Sequence, residues 1–113
     1  MINMGDKEFL IFVVEDDEWY RKLLVHTLSL NPDHTVKAFE DGVYMLKCLH
    51  EKPQLITLDY RLPDYTGEEL FDKIKEVDST INTIVISEQQ DIETAVGLLK
   101  KGAYDYLTKT DDI

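Results

Sequence analysis

The sequence predicts an α/β protein with a doubly wound, five-stranded parallel sheet in the order 2-1-3-4-5. Three observations predict this fold. Short apolar segments alternate with segments of helical periodicity along the chain. Residues 8–14 and 54–59 form nearly continuous apolar runs, which are typical of strands covered on both faces. The connections are short, and right-handed crossovers between such segments make successive strands parallel.

The predicted elements follow in a fixed alternation. In chain order they are strand 1 (8–14), helix 1 (18–30), strand 2 (35–39), helix 2 (between Asp41 and Pro53), strand 3 (54–59), helix 3 (67–77), strand 4 (81–87), helix 4 (between Asp91 and Gly102) and strand 5 (104–108).

Helices 1, 2 and 4 have start or stop signals, and helices 1, 2 and 3 have an apolar face. Helix 1 stops at the Asn-Pro-Asp of residues 31–33. Asp41 and Asp91 are N-cap residues for helices 2 and 4, and Gly102 suits the position after a helix end. The predicted inward side chains are Tyr20, Leu23, Leu24, Thr27 and Leu28 on helix 1, Val43, Met45, Leu46 and Leu49 on helix 2, and Leu70, Phe71 and Ile74 on helix 3.

Composition limits the class of protein. The 113 residues suit one domain with one core, spanning residues 1–113, and 43% hydrophobic residues favour a folded chain. The net charge of −11 repels nucleic acid phosphates, so we expect no direct nucleic acid binding. Cys48 is the only cysteine, which excludes an internal disulfide. No apolar run is long enough to span a membrane and no signal peptide is evident, so we expect a cytoplasmic domain.

The alternation ends at strand 5 with no helical pattern after it. Five strands with four helices leave apolar sheet surface uncovered. The sequence therefore predicts that a fifth helix is truncated and that the chain is the N-terminal part of a longer protein.

Three carboxylates follow strand 1 directly, at residues 15–17. Acids favour a helix N-terminus, which is one interpretation; the other is a cation site completed by distant residues. The carboxyl ends of neighbouring parallel strands meet at one edge of the sheet, where ligands bind in this fold. Strands 3, 4 and 5 end there in Asp59, Ser87 and Lys109.

These groups together suit phosphoryl transfer to a carboxylate. Mg²⁺ prefers oxygen ligands, so Asp16 and Asp59 are predicted to bind it directly, with Glu15 acting through a water molecule. Asp59 is then the nucleophile, because an aspartate can form an acyl phosphate. Lys109 would neutralise the phosphoryl oxygens, and Ser87 would donate a hydrogen bond to them. Asp17 is assigned to the first turn of helix 1 instead.

Four motifs in this order resemble the receiver, or phosphoacceptor, domain of bacterial two-component response regulators. They are VVED (13–16), ITLDYRLPDYTG (56–67), IVIS (84–87) and GAYDYLTK (102–109). The resemblance implies that Asp59 takes a phosphoryl group from a histidine kinase or phosphotransfer domain. It also implies that the main-chain carbonyl of Arg61 is a metal ligand.

The resemblance further implies a signalling switch. Ser87 turns toward the phosphoryl group, Tyr106 moves into the vacated space, and the face of helix 4 and strand 5 changes shape to meet a partner or a second copy. Residues 89–109 are also similar to receivers of the nitrogen-regulator type, which precede a σ54-dependent activator and a DNA-binding domain. The expected output is transcription regulation.

Five positions affect these expectations. Thr110 stands where the family usually has proline, which leaves open how Lys109 is held. Glu88 adds a negative charge near the phosphoacceptor, where alanine or glycine is usual. Arg61 and Gln89 occupy the positions that tune the lifetime of the phosphoryl group in the family. Trp19 lies beside the site at the start of helix 1, where it is either a docking residue for the histidine kinase or phosphotransfer domain or a packing residue.

Alternative functions remain at this stage. A haloacid-dehalogenase-like phosphatase shares the aspartate nucleophile and Mg²⁺, but it needs a second aspartate at position 61, where this chain has Arg61. A pseudo-receiver keeps the fold as a binding module without phosphorylation. A flavodoxin-like electron carrier has the same topology but needs a phosphate-binding loop after strand 1. The sequence favours a switch that is not an enzyme beyond its own phosphorylation and dephosphorylation.

Overall fold

The computed structural model describes residues 9–110, and these form a five-stranded parallel sheet in the order β2-β1-β3-β4-β5. The strands are β1 (Phe9–Val14), β2 (His34–Phe39), β3 (Leu55–Asp59), β4 (Asn82–Ser87) and β5 (Asp105–Thr108). The helices are α1 (Glu18–Ser29), α2 (Gly42–Lys47), α3 (Gly67–Val77) and α4 (Ile92–Lys101), with a 3₁₀ turn at Leu49–Glu51. The predicted fold class and strand order are confirmed. The predicted first residue of strand 1, Glu8, and the chain end where a fifth helix was expected to be truncated lie outside the described residues.

The continuous apolar run of β1 has a simple cause, because helices cover both faces of the sheet. Phe12 and Val14 belong to a large core cluster that includes side chains of α2, α3 and α4. Ile11 and Val13 point to the opposite face, where they pack with residues of α1. All four side chains are almost fully buried. Polar residues are therefore excluded from both faces of the strand, and its sequence does not alternate between apolar and polar residues.

Local signals place the helix starts correctly. The side chains of Asp17, Asp41 and Asp91 each accept a hydrogen bond from a main-chain N–H of the helix that follows. Thr66 caps α3 in a reciprocal capping box with Glu69. These caps begin the four helices at the carboxyl edge of the sheet, which keeps the loops there short.

Two side chains that the sequence predicts to face the core, Leu23 and Val43, are exposed instead, so this part of the prediction is wrong. Leu23 is 36% exposed because α1 contacts the sheet through a narrow stripe around Tyr20 and Leu24. Val43 is 44% exposed because α2 packs through Met45 instead.

Helix α2 also ends earlier than the proline signal predicts. The chain tightens into the 3₁₀ turn after Lys47, and Lys52 adopts a left-handed conformation with φ of 59° before Pro53. The extra turn allows Leu49 to enter the core in spite of the shorter α2.

The loop between β3 and α3 is fastened to α2. The Asp64 carboxylate accepts hydrogen bonds from the N–H groups of Gly42 and Val43, at 3.0 and 2.9 Å. Gly67 closes the same loop, where an added Cβ would lie 2.9 Å from the Cα of Tyr60. The loop that follows Asp59 is therefore held at both ends.

Candidate functional site

The predicted carboxylates come together at the carboxyl edge of the sheet. Glu15 and Asp16 follow β1, Asp59 ends β3, and these two strands are neighbours. One oxygen from each of the three side chains lies within 4.8 Å of the others. Glu15 is 1% exposed and Asp59 is 6% exposed, whereas Asp16 faces solvent. The site is thus a partly buried acidic cluster that opens on one side.

Asp17 lies outside the cluster, as the sequence predicted. Its carboxylate caps α1 by accepting a hydrogen bond from the N–H of Trp19 at 3.1 Å. Its own N–H donates to Oε2 of Glu15 at 3.1 Å. The three consecutive acids therefore divide into two roles.

Arg21 shapes the loop that carries the acidic pair. Its Nη1 donates to the main-chain carbonyls of Glu15 and Asp16, at 2.9 and 3.3 Å. Sequence reasoning missed this residue, because a helix arginine that binds main-chain carbonyls has no sequence motif of its own.

Lys109 enters the same cluster from the end of β5. Its Nζ lies 3.2 Å from both carboxylate oxygens of Glu15 and 3.7 Å from Oδ2 of Asp59. Its main-chain N–H donates to the carbonyl of Ser87 at 2.8 Å, and its side chain is only 13% exposed. Burial lowers the pKa of Lys109, but the attraction of Asp59 and Glu15 outweighs burial and raises it. The lysine is therefore held in the site although Thr110 follows it.

Asp59 is an unusual carboxyl group in the absence of a metal. Burial, a hydrogen bond to Glu15 and repulsion by the Glu15 charge raise the pKa of Asp59 to about 8, against the weaker opposing effects of the Arg61 N–H and Lys109. The Arg61 N–H donates to Oδ1 of Asp59 at 3.2 Å. Lys109 Nζ lies closer to the Glu15 carboxylate than to the Asp59 carboxyl group, at 3.2 Å against 3.7 Å, which agrees with a proton on Asp59.

This raised pKa predicts that the metal-free protein is less stable at high pH. Between pH 3.8 and about 8 the folded state keeps a proton on Asp59 that the unfolded chain has released, so stability present below pH 3.8 is lost as the pH rises toward 8. In chelator, Asp59→Asn is expected to raise the free energy of unfolding at pH 8 by roughly 2 kcal/mol and to change it little at pH 4. Urea unfolding at both pH values measures this. The exposed Asp33→Asn serves as the control, and an Asp59→Asn gain equal at both pH values would contradict the assignment.

The predicted switch residues both bind the main chain of one residue, Gln89, in the loop after β4. The Ser87 hydroxyl accepts a hydrogen bond from the Gln89 N–H at 3.3 Å, and the Tyr106 hydroxyl donates to the Gln89 carbonyl at 3.3 Å. Ser87 is buried at the end of β4, and Tyr106 is half-buried on β5. A change in the position of either hydroxyl group therefore affects the main chain of the same residue, Gln89.

These residues surround a cleft of about 490 Å³. Every predicted site residue except the buried Glu15 lines it; the members are Asp16, Asp59, Arg61, Ser87, Glu88, Gln89, Tyr106 and Lys109. The charge of Glu88 also contributes to raising the pKa of Lys109, so its field reaches the centre of the cleft.

The acidic cluster fits a divalent cation. Three carboxylates lie together, and one ammonium group contacts two of them, Glu15 and Asp59. Oxygen ligands of this kind suit Mg²⁺. Oε1 of Glu15 is buried and accepts no hydrogen bond from residues 9–110, although Lys109 Nζ is 3.2 Å away. A cation held by Glu15, Asp16 and Asp59 would compensate the excess charge.

No helix within residues 9–110 is long and apolar enough to cross a membrane.

Comparison with known proteins gives a consistent result. The family described as the response regulator receiver domain matches residues 11–113. The DNA-binding transcriptional regulator NtrC of Proteus hauseri is 35% identical over 104 residues, which are 91% of this chain and 22% of that protein. The transcriptional regulatory protein KdpE of Staphylococcus aureus is 35% identical over 88% of this chain and 42% of its own length.

Solved structures agree with this match. The BeF3-activated DrrB receiver domain has a TM-score of 0.84 at 31% identity, covering 93% of this chain and 87% of its own. The signal receiver domain of a putative Luxo repressor protein from Vibrio parahaemolyticus has a TM-score of 0.84 at 29% identity, covering 93% and 81%. The chain spans less than half of the length of the two regulators above but most of each isolated receiver domain. This chain belongs to the response regulator receiver domain family.

Proposed function

We propose that this chain is a phosphorylation-dependent signalling switch in which Asp59 accepts a phosphoryl group from a histidine kinase or phosphotransfer domain. The observation that carries the proposal is the convergence of Glu15, Asp16, Asp59 and Lys109 at one edge of the sheet. A buried carboxylate beside one fixed cation and two further carboxylates suits a nucleophile whose product is an anion.

The chemistry follows from the charges of the site. A carboxylate oxygen of ionised Asp59 forms a bond to phosphorus while the bond from phosphorus to the donor's leaving group breaks. Bound Mg²⁺ would be held by Glu15, Asp16, Asp59 and the Arg61 carbonyl, and would supply charge neutralisation for the phosphoryl oxygens. Lys109 supplies a second, fixed positive charge. Asp59 has to lose its proton first, and a cation in the cluster favours that loss.

The proposed relay runs through the main chain of Gln89. When the Ser87 hydroxyl turns toward the phosphoryl group, it releases the Gln89 N–H. Tyr106, bound to the carbonyl of the same residue, then changes its position. The surface that changes includes exposed apolar residues of α4 and the residue before β5; these are Ile92, Val96, Leu99 and Tyr104. An output domain of the same protein or a second copy of the chain meets this surface.

The proposed setting is a longer cytoplasmic protein with this chain as its N-terminal receiver. NtrC, which this chain resembles over 22% of the NtrC length, is a DNA-binding transcriptional regulator. We therefore assign the output to transcription regulation, of the σ54-dependent type, with DNA binding outside this chain. Beyond its own phosphorylation and dephosphorylation, we assign no enzyme activity.

The proposal is tested by intact mass after incubation with acetyl phosphate and Mg²⁺. We expect a gain of one phosphoryl mass that is absent in chelator and is removed by hydroxylamine, which cleaves acyl phosphates. No gain, even with a histidine kinase supplied, would favour a non-phosphorylated pseudo-receiver. Steady release of phosphate from phosphomonoesters would instead favour a haloacid-dehalogenase-like phosphatase.

Glu88 is expected to slow phosphorylation by small anionic donors. It lines the cleft and its charge acts on Lys109, so it also repels an incoming anion. Glu88→Ala is expected to take up phosphoryl groups from acetyl phosphate roughly threefold faster at low ionic strength, with a smaller difference in salt. Initial rates from intact mass measure this. Glu93→Ala changes the net charge equally at an exposed position of α4; equal acceleration by both variants would contradict a local effect of Glu88.

A further inference from the structure

One contact of Lys109 is not explained by the carboxylates. Its Nζ lies 4.8 Å from the centroid of the Tyr20 ring, on α1. The ammonium group thus has acidic oxygens of Glu15 and Asp59 nearby and an aromatic ring as a further neighbour. A cation at this distance from an aromatic ring is attracted by the ring's electrons, and more strongly when both are shielded from water.

The Tyr20 ring is a rigid support. It is 6% exposed and belongs to the smaller core cluster, together with Ile11, Val13, Leu24 and Ile86. The sequence predicts Tyr20 on the apolar face of helix 1 and indicates no further role for it. A ring fixed by core packing can hold the end of a flexible lysine side chain. A flexible lysine side chain cannot fix the position of a ring in the core.

The ring differs in kind from the other partners. Of the ionic and aromatic contacts that Lys109 Nζ makes within residues 9–110, Tyr20 is the one that is neither a proposed metal ligand nor the phosphoacceptor. A cation bound by Glu15 and Asp59 competes with Lys109 for their oxygens, and phosphorylation changes Asp59 itself. The Tyr20 ring takes part in neither event, so we expect it to remain a partner of the Lys109 ammonium group in the cation-bound and in the phosphorylated state.

We propose that Tyr20 is the positioning residue of Lys109: its ring keeps the ammonium group at the edge of the acidic cluster when the carboxylates are engaged by Mg²⁺. The functional consequence rests on the proposed phosphorylation of Asp59. A lysine held in place stabilises charge on the transferred phosphoryl oxygens without reorganisation, so its displacement slows the transfer.

The contact itself is tested by NMR, independently of phosphorylation. The Lys109 ε-methylene signals, assigned with Lys109→Arg, are expected upfield of their ordinary position because the ring current of Tyr20 acts on them. The upfield shift is expected to persist in saturating Mg²⁺ and in Tyr20→Phe, and to vanish in Tyr20→Leu. Leu24→Val, a change in the same core cluster, is expected to keep it. An unshifted signal in the parent chain, or one that returns to its ordinary position on Mg²⁺ addition, would overturn the proposal.

The consequence for phosphorylation is tested in the same variants. Tyr20→Leu is expected to take up phosphoryl groups from acetyl phosphate about threefold to tenfold more slowly than the parent, while Tyr20→Phe and Leu24→Val stay within about twofold. A Tyr20→Leu variant that loses the upfield shift but keeps the parental rate overturns the positioning role. If the parent takes up no phosphoryl group, the proposed function fails, and the NMR result alone decides whether the ring holds Lys109. If Tyr20→Leu does not fold, the parental spectra with and without Mg²⁺ still decide it.

Discussion

An Asp59→Asn variant is expected to gain no phosphoryl mass under conditions in which the parent chain gains one. Asparagine has nearly the same size as aspartate, but its amide is not a nucleophile for phosphorus. Asp59 is the carboxylate that combines a position on the cleft wall with a short distance to Lys109 Nζ, 3.7 Å. Glu15 is nearer to the lysine, at 3.2 Å, but it is 1% exposed and does not line the cleft. Intact mass with acetyl phosphate and Mg²⁺ measures the difference.

The loss is expected to be specific to Asp59. Asp91→Asn makes the same chemical change in the same cleft, and asparagine is also a good N-cap residue for α4. This control should gain the phosphoryl mass at close to the parental rate. Because Asp59→Asn is expected to be the more stable protein in chelator at pH 8, unfolding does not account for a loss of uptake. Retained uptake in Asp59→Asn would place the acceptor elsewhere in the chain.

Asp16→Asn is expected to weaken Mg²⁺ binding at least about tenfold, or about 1.4 kcal/mol. Asp16 is the exposed member of the acidic cluster, so it is the carboxylate through which an entering cation reaches the buried Glu15 and Asp59. An amide oxygen in place of a carboxylate removes one negative charge from a site that depends on charge. Titration calorimetry of the parent and the variant at pH 8 measures the two affinities.

The neighbouring acid provides the matched control. Asp17→Asn removes an equal charge one residue away and keeps a side-chain oxygen for the cap of α1. Its Mg²⁺ affinity is expected to stay within about threefold of the parental value, because its charge acts only from a distance. Equal losses in Asp16→Asn and Asp17→Asn would contradict the division of the three consecutive acids into a ligand pair and a helix cap.

The sequence predicted the features that depend on neighbouring residues. The bounds of α3 agree with the prediction at both ends, because its apolar periodicity lies within one short segment. The caps Asp41 and Asp91 and the left-handed Gly102, with φ of 112°, are local in the same sense. The meeting of acidic groups with Lys109 was also predictable, since neighbouring parallel strands end at one edge.

The contacts that hold these groups in place are visible only in the folded chain. Asp64 binds main-chain groups 22 and 21 residues away, and Arg21 binds main-chain carbonyls that have no identity in a sequence. The Tyr20 ring was predicted as core, but its contact with Lys109 joins residues from opposite ends of the chain. The order of the elements and the chemical groups at the strand ends follow from the sequence without the structure, because both depend on local patterns of residues. Their distances, the raised pKa of Asp59 and the support of Lys109 depend on packing between remote segments, which no local pattern encodes.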